Sequence, residues 1–121
     1  MADPRNFFWL FFSLKGRAGR AAYFLAGLFV LIVQMFFFYR VGMEVEGSPA
    51  SQAWAGAFLV AVLVATWCNF ALTAKRFHDF GKPTGYAAIS LVAGFILVVV
   101  LSLIKGEDGP NRYGPGPDIA I

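Results

Sequence analysis

The sequence predicts an all-α membrane protein: a three-transmembrane-helix bundle preceded by a short interfacial N-terminal segment. Three observations carry that prediction. First, three apolar runs, at about residues 21–39, 54–74 and 86–104, contain no Asp, Glu, Lys or Arg. Each is about 20 residues, the length a helix needs to cross roughly 30 Å of hydrocarbon at 1.5 Å per residue. Second, hydrophobic residues make up 59% of the chain and charged ones 14%, against about 45–50% and 25% in soluble domains. Third, the charges flank the runs instead of alternating through them. A soluble bundle does not suit this pattern, because a helix apolar all round needs lipid or a much larger protein to cover it.

Each element follows in chain order. The block Phe7-Phe8-Trp9-Leu10-Phe11-Phe12 is too short to span and is followed by Lys15, Arg17 and Arg20. Aromatics beside cations suit a segment lying at the headgroup level; packing on the other helices is the alternative. Gly16 and Gly19 loosen the chain before the first span, which ends at Tyr39 and Arg40, an aromatic and a cation placed as interfacial anchors. Gln34 is its strongly polar residue. Residues 41–52 read as an exposed turn, with Gly42, Glu44, Glu46, Gly47, Ser48 and Pro49.

The second span begins at Trp54 and carries Ala57, Ala61 and Ala65 at steps of four, continued by Asn69 and Thr73. Small residues let helix backbones approach, and an amide in lipid needs a partner across the interface. This ridge reads as the main packing seam. Gly81, Pro83 and Gly85 then break the chain. The third span has its own small ridge at Ser90 and Gly94, and pairing the two ridges is the simplest way to close the bundle. Residues 106–121 are rich in Gly, Pro and charge. They read as a flexible tail that cannot fold alone but is able to dock.

Orientation follows from the flanking cations. Arg5, Lys15, Arg17 and Arg20 precede the first span, and Lys75, Arg76 and Lys82 lie between the second and third. The first loop holds only Arg40, with two glutamates. The positive-inside rule puts the N-terminus and the second loop in the cytoplasm. Three crossings then put the C-terminus outside. A re-entrant bend at Gly94 would instead return the tail to the cytoplasm, leaving all cations except Arg40 inside. The length of the run favours the single crossing.

The net charge of +3 is too modest and too scattered for a nucleic-acid footprint. Cys68, the one cysteine, has no disulfide partner within the chain. It lies ten residues from His78, about 15 Å along a helix, too far for a nucleophile and its base. One histidine beside Asp79 is a thin ligand set for a metal. No Walker loop, dinucleotide fingerprint or His-Glu-x-x-His occurs. Neither an enzyme nor a cofactor or metal site is expected.

The string Lys75-Arg76-Phe77-His78-Asp79-Phe80-Gly81 is the most unusual in the chain. Asp79 lies three residues after Arg76 and four after Lys75, so it is able to pair with either on a helix. The string also serves as a helix stop with basic topology signals. Together with Gly16-Arg17-Ala18-Gly19-Arg20, Tyr23 and Asn111-Arg112-Tyr113-Gly114, it resembles the DUF805 family of small bacterial inner-membrane proteins. The strings stand in the family's order around three apolar runs, and the likeness spans nearly the whole chain. Where that family often has an acidic residue before the aromatic pair of the first span, this chain has Ala22. The resemblance implies a bacterial inner-membrane location and a set of candidate residues, not an activity.

The resulting expectation is a non-catalytic membrane protein. Arg17, Arg20, Lys75, Arg76 and His78 would form a cytoplasmic basic cluster, fixed by Asp79, for anionic lipid headgroups or a partner protein, with a homo-oligomer as one form of partner. The tail motif, Asn111, Arg112, Tyr113 and Gly114, would order the tail and join the cluster only if the tail returns inside. The rival expectation is a small oligomeric transporter or channel subunit using Gln34, Asn69 and His78 as a polar path.

Overall fold

A computed structural model describes residues 4–120, with side chains from Asn6 onward. Residues 1–3 and 121 of the chain, whose length predicts one domain, and the side chains of Pro4 and Arg5, lie outside the described residues. The elements are α1 (Pro4–Phe12), α2 (Arg20–Met43), α3 (Pro49–Asp79), a 3₁₀ segment (Thr84–Ile89), α4 (Ser90–Ala93) and α5 (Phe95–Ser102). Two helices, α2 with 24 residues and α3 with 31, are long and apolar enough to cross a membrane.

Local chemistry sets their limits. At the start of α3 the Ser48 hydroxyl accepts from the Ser51 N–H at 3.1 Å, and Pro49 sits at the first helical position, where no N–H is needed. At its end Gly81 adopts φ +76°. The Gly81 N–H reaches the His78 carbonyl at 3.0 Å and the Lys82 N–H the Phe77 carbonyl at 2.9 Å. This pair of bonds is the Schellman stop, and it depends on a residue that tolerates a left-handed backbone.

The amphipathic α1 lies against α3. Trp9 and Phe11 are buried, whereas Phe7 and Phe8 are exposed. The Trp67 indole N–H donates to the Phe12 carbonyl at 3.1 Å. The aromatic block thus packs and faces outward at once.

The third apolar run corrects the single-crossing expectation. It is not one helix: Gly94, at φ 56° and ψ −134°, separates α4 from α5. The eight residues of α5 reach about 12 Å, well short of a bilayer. Both ends of the run lie at the same end of the α2–α3 pair. Thr84, at its start, hydrogen-bonds His78, and the Leu101 carbonyl, near its finish, accepts from Arg76 at 3.0 Å. The run is a broken hairpin, bent at Gly94 as the alternative reading expects, and three full-length helices are not formed.

The hairpin packs closely on α2: a Cβ placed on Gly27 would stand 2.7 Å from Val98. The buried core gathers Tyr23, Ala26 and Val30 of α2, Ala65, Cys68 and Leu72 of α3, and Val98 and Leu101 of α5.

Candidate functional site

The strings singled out in the sequence converge at one end of the helix pair. The Asp79 carboxylate accepts from Arg17 Nε at 2.9 Å through one oxygen and from Arg76 Nη1 at 2.8 Å through the other. Both guanidinium groups are fully buried. Their remaining donors go to backbone carbonyls. Arg17 donates to Glu107 at 2.7 Å and to Gly109 at 2.6 Å. Arg76 donates to Ala18 at 2.9 Å, to Leu101 and to Ile104. The start of α2, the end of α3, the hairpin and the tail are therefore tied by three charged side chains. We call this arrangement the clasp.

A second layer surrounds it. His78 Nδ1 faces the Gly16 carbonyl at 2.9 Å, and its Nε2 faces the Thr84 hydroxyl at 2.8 Å. A carbonyl only accepts, so Nδ1 carries the proton. The Tyr113 ring stacks on the imidazole, 4.0 Å between centroids and 2° from parallel. The Asn111 amide donates to the His78 carbonyl at 3.0 Å and to Glu107 Oε1 at 2.8 Å. Asn111 and Gly114 exchange backbone bonds, closing a small turn. Buried Lys75 donates to the Ser13 carbonyl and sits 5.3 Å over the Trp9 ring.

Arg17, Lys75, Arg76, His78 and Asp79 are thus brought together, and Asn111, Tyr113 and Gly114 join them, which the sequence expected only of a returning tail; the cations among them are covered. Arg20 stays exposed at the start of α2, and Arg112 is exposed beside Tyr113. The tail docks, held also by the Asp118 N–H on the Arg17 carbonyl at 2.8 Å and by the Asp118 carboxylate on the Gly19 N–H at 2.9 Å. Sequence reading missed Trp9, Thr84, Gly106, Glu107 and Asp118. A Cβ on Gly106 would overlap the Asp79 carboxylate, so that glycine is a condition of docking. A lone Gly in a Gly-rich tail carries no signal of it.

The small ridge of α3 divides between two hollows, one at Ala57 and Ala61 and another where Asn69 meets Gly94. Ala65 is buried, but Ala57 and Ala61 line an open apolar groove of about 520 Å³ with Phe11, Phe29, Phe37 and Cys68. Ser90 is buried, its hydroxyl without a hydrogen-bond partner. Gly94 faces a separate cavity of about 210 Å³ lined also by Gln34 and Asn69. Among the described residues, no three of His, Cys, Asp and Glu are grouped to hold a metal ion.

The family described as "Protein of unknown function (DUF805)" matches residues 11–115. The chain belongs to the DUF805 family. The matched stretch runs from the last turn of α1 through the Asn111–Gly114 turn, so it takes in Arg17, Arg76, Asp79 and every carbonyl that the two arginines use. In this DUF805 chain the scattered strings are one site because each supplies a partner to the same three charges. No curated protein and no solved structure matches the chain.

Proposed function

We propose that this DUF805 protein is a non-catalytic integral protein of the bacterial inner membrane that contacts anionic lipid headgroups at its clasp end, which faces the cytoplasm. The contrast between the two ends carries the reading. At the clasp end Lys15, Arg20, Lys82, Lys105 and Arg112 are exposed, around a buried clasp and second layer holding three cations and one carboxylate. The opposite end has Arg40 with Glu44 and Glu46. Positive charge concentrates on the cytoplasmic side of inner-membrane proteins and attracts anionic lipid there.

In this reading the contact residues differ from those expected of the sequence. Arg17, Lys75 and Arg76 have their donors in carbonyls and in Asp79, so they hold the surface in shape instead of touching the headgroups. The exposed cations make the contact. Each cation near an anionic surface is worth about 1 kcal/mol. The Lys82→Gln, Arg112→Gln double variant therefore lowers the enrichment of phosphatidylglycerol over phosphatidylcholine around the protein by roughly tenfold or more. Lipid carried through purification from mixed vesicles provides the measurement. Unchanged enrichment after Lys15, Arg20, Lys82 and Arg112 are all made neutral overturns the headgroup reading.

The transport alternative has the 210 Å³ cavity in its favour, since Gln34 and Asn69 share it. His78 lies about 13 Å further along α3 than Asn69 and is engaged by Gly16, Thr84 and Tyr113. A solute flux in proteoliposomes that Asn69→Leu alters would favour transport over headgroup contact.

A further inference from the structure

We infer that the apolar groove holds one acyl chain of a phospholipid whose phosphate is gripped by Arg40, in the leaflet opposite the clasp. The inference rests on the membrane reading above but not on headgroup contact at the clasp end.

Shape selects the occupant. Along α3 the groove runs from Ala57 to Cys68, about 16 Å at 1.5 Å per residue. That is close to the thickness of one leaflet, half of roughly 30 Å. A volume of about 520 Å³ over that length gives a mean cross-section of about 30 Å². A helix about 10 Å across covers roughly 80 Å², so a partner helix lies over the groove without filling its floor. A single hydrocarbon chain, with packed carbons about 4 Å apart, needs on the order of 20 Å². Phe7, Phe11 and Phe12 of α1 line the groove on the clasp side, which leaves the other end for a headgroup.

That other end carries a cation with an unmade bond. Arg40 lies three residues beyond Phe37 on α2, and Trp54 three before Ala57 on α3, each on the same helix face as its groove residue. The Arg40 guanidinium sits 4.7 Å over the Trp54 ring, and the Phe37 and Trp54 rings are 6.1 Å apart. Arg40 and Trp54 therefore stand at the groove's mouth. Arg40 Nη2 donates to Glu44 at 3.1 Å, but its Nε is buried and has no hydrogen-bond partner. Glu44 takes one of five donors, and a guanidinium fork matches phosphate oxygens two at a time. An unfilled apolar slot and a part-exposed guanidinium at its mouth, with donors that Glu44 does not take, are both completed by one phospholipid.

The test uses the full chain purified in a mild detergent and titrated with dioleoyl phosphatidylethanolamine, with bound lipid counted by native mass spectrometry. One lipid per chain is expected. Ala61→Phe, which fills the groove, and Arg40→Gln, which removes the fork, each weaken binding by roughly tenfold. Far-UV circular dichroism checks that both variants keep their helices. Dioleoylglycerol, which has the acyl chains but no anionic group for a guanidinium to pair with, binds more weakly than the phospholipid and is insensitive to Arg40→Gln. Lipid binding indifferent to both substitutions overturns the proposal. So does a dimer that Ala61→Phe dissociates, because a second chain would then be the occupant. Failure of the membrane reading looks different: the chain would stay folded and dispersed in detergent-free buffer.

Discussion

Asp79 is one carboxylate shared by two buried arginines, and its loss leaves both without a counter-charge. Removing one partner of a buried pair costs about 3–5 kcal/mol. Asp79→Asn is therefore expected to lower stability by that amount, seen as a large fall in Tm in detergent. Lys105→Gln is the control, because its pair with Asp108 is exposed on both sides and such pairs contribute about 0–1 kcal/mol. Equal Tm shifts would mean that the clasp does not hold the fold. Gly106→Ala tests the same node from the tail side. Its methyl group has no room beside the Asp79 carboxylate, so the tail should undock and its Gly and Asp peptide bonds become open to limited proteolysis while α2 and α3 stay intact. Tail cleavage no faster than in the parent would contradict this. The Arg76–Asp79 contact was legible, since three-residue spacing on a helix predicts it. The Arg17–Asp79 contact was not, because nothing in a spacing of 62 residues says that two strings meet.

Helices and breaks obey a different logic, in which hydropathy reports solvent but not direction. The first two runs were legible as helices because length and flanking signals agree, with Tyr39 and Arg40 near one end and Gly81 at the stop, but α2 runs on to Met43 and α3 begins at Pro49, both inside the stretch 41–52 that reads as a turn. The third run gave one helix by length alone. What decides against it is Gly94 at a positive φ, together with Arg76 drawing the Leu101 and Ile104 carbonyls back toward the clasp. Neither cause lies in the apolar pattern. A reporter fused after the tail is expected on the same side of the membrane as one fused before α1. Opposite sides would restore the single crossing. Gly94→Leu places a branched side chain in a backbone region that costs of order 1–3 kcal/mol for residues other than Gly, and should lower Tm accordingly. A shift within about 0.5 kcal/mol, as for an ordinary surface change, would remove the strained turn from the account.

For the whole molecule, the sequence yielded the location of charge but not its exposure. Counting cations near the runs orients the chain, yet it cannot separate Lys75 and Arg76, which are covered, from Lys82 and Arg112, which are not. Burial depends on a tail that seemed able only to dock. The two classes should separate in experiment. Arg76→Gln is expected to act on Tm, and Lys82→Gln on lipid enrichment with Tm nearly unchanged. Both variants shifting lipid enrichment without a fall in Tm would return Arg76 to the surface. The alanine ridge was likewise visible, but its use was not: small residues signal close approach and do not say whether a helix or a lipid comes close.

The docked tail has a consequence for biosynthesis. Ribosomes make Arg17 and Arg76 well before residues 101–114, whose carbonyls receive them. Through that interval Asp79 and the Ala18 carbonyl are the partners within reach, and the donors that later go to the hairpin and tail carbonyls stay with water. Closure therefore waits for the tail, and a nascent chain stopped short of Gly106 would display an open, cation-lined mouth.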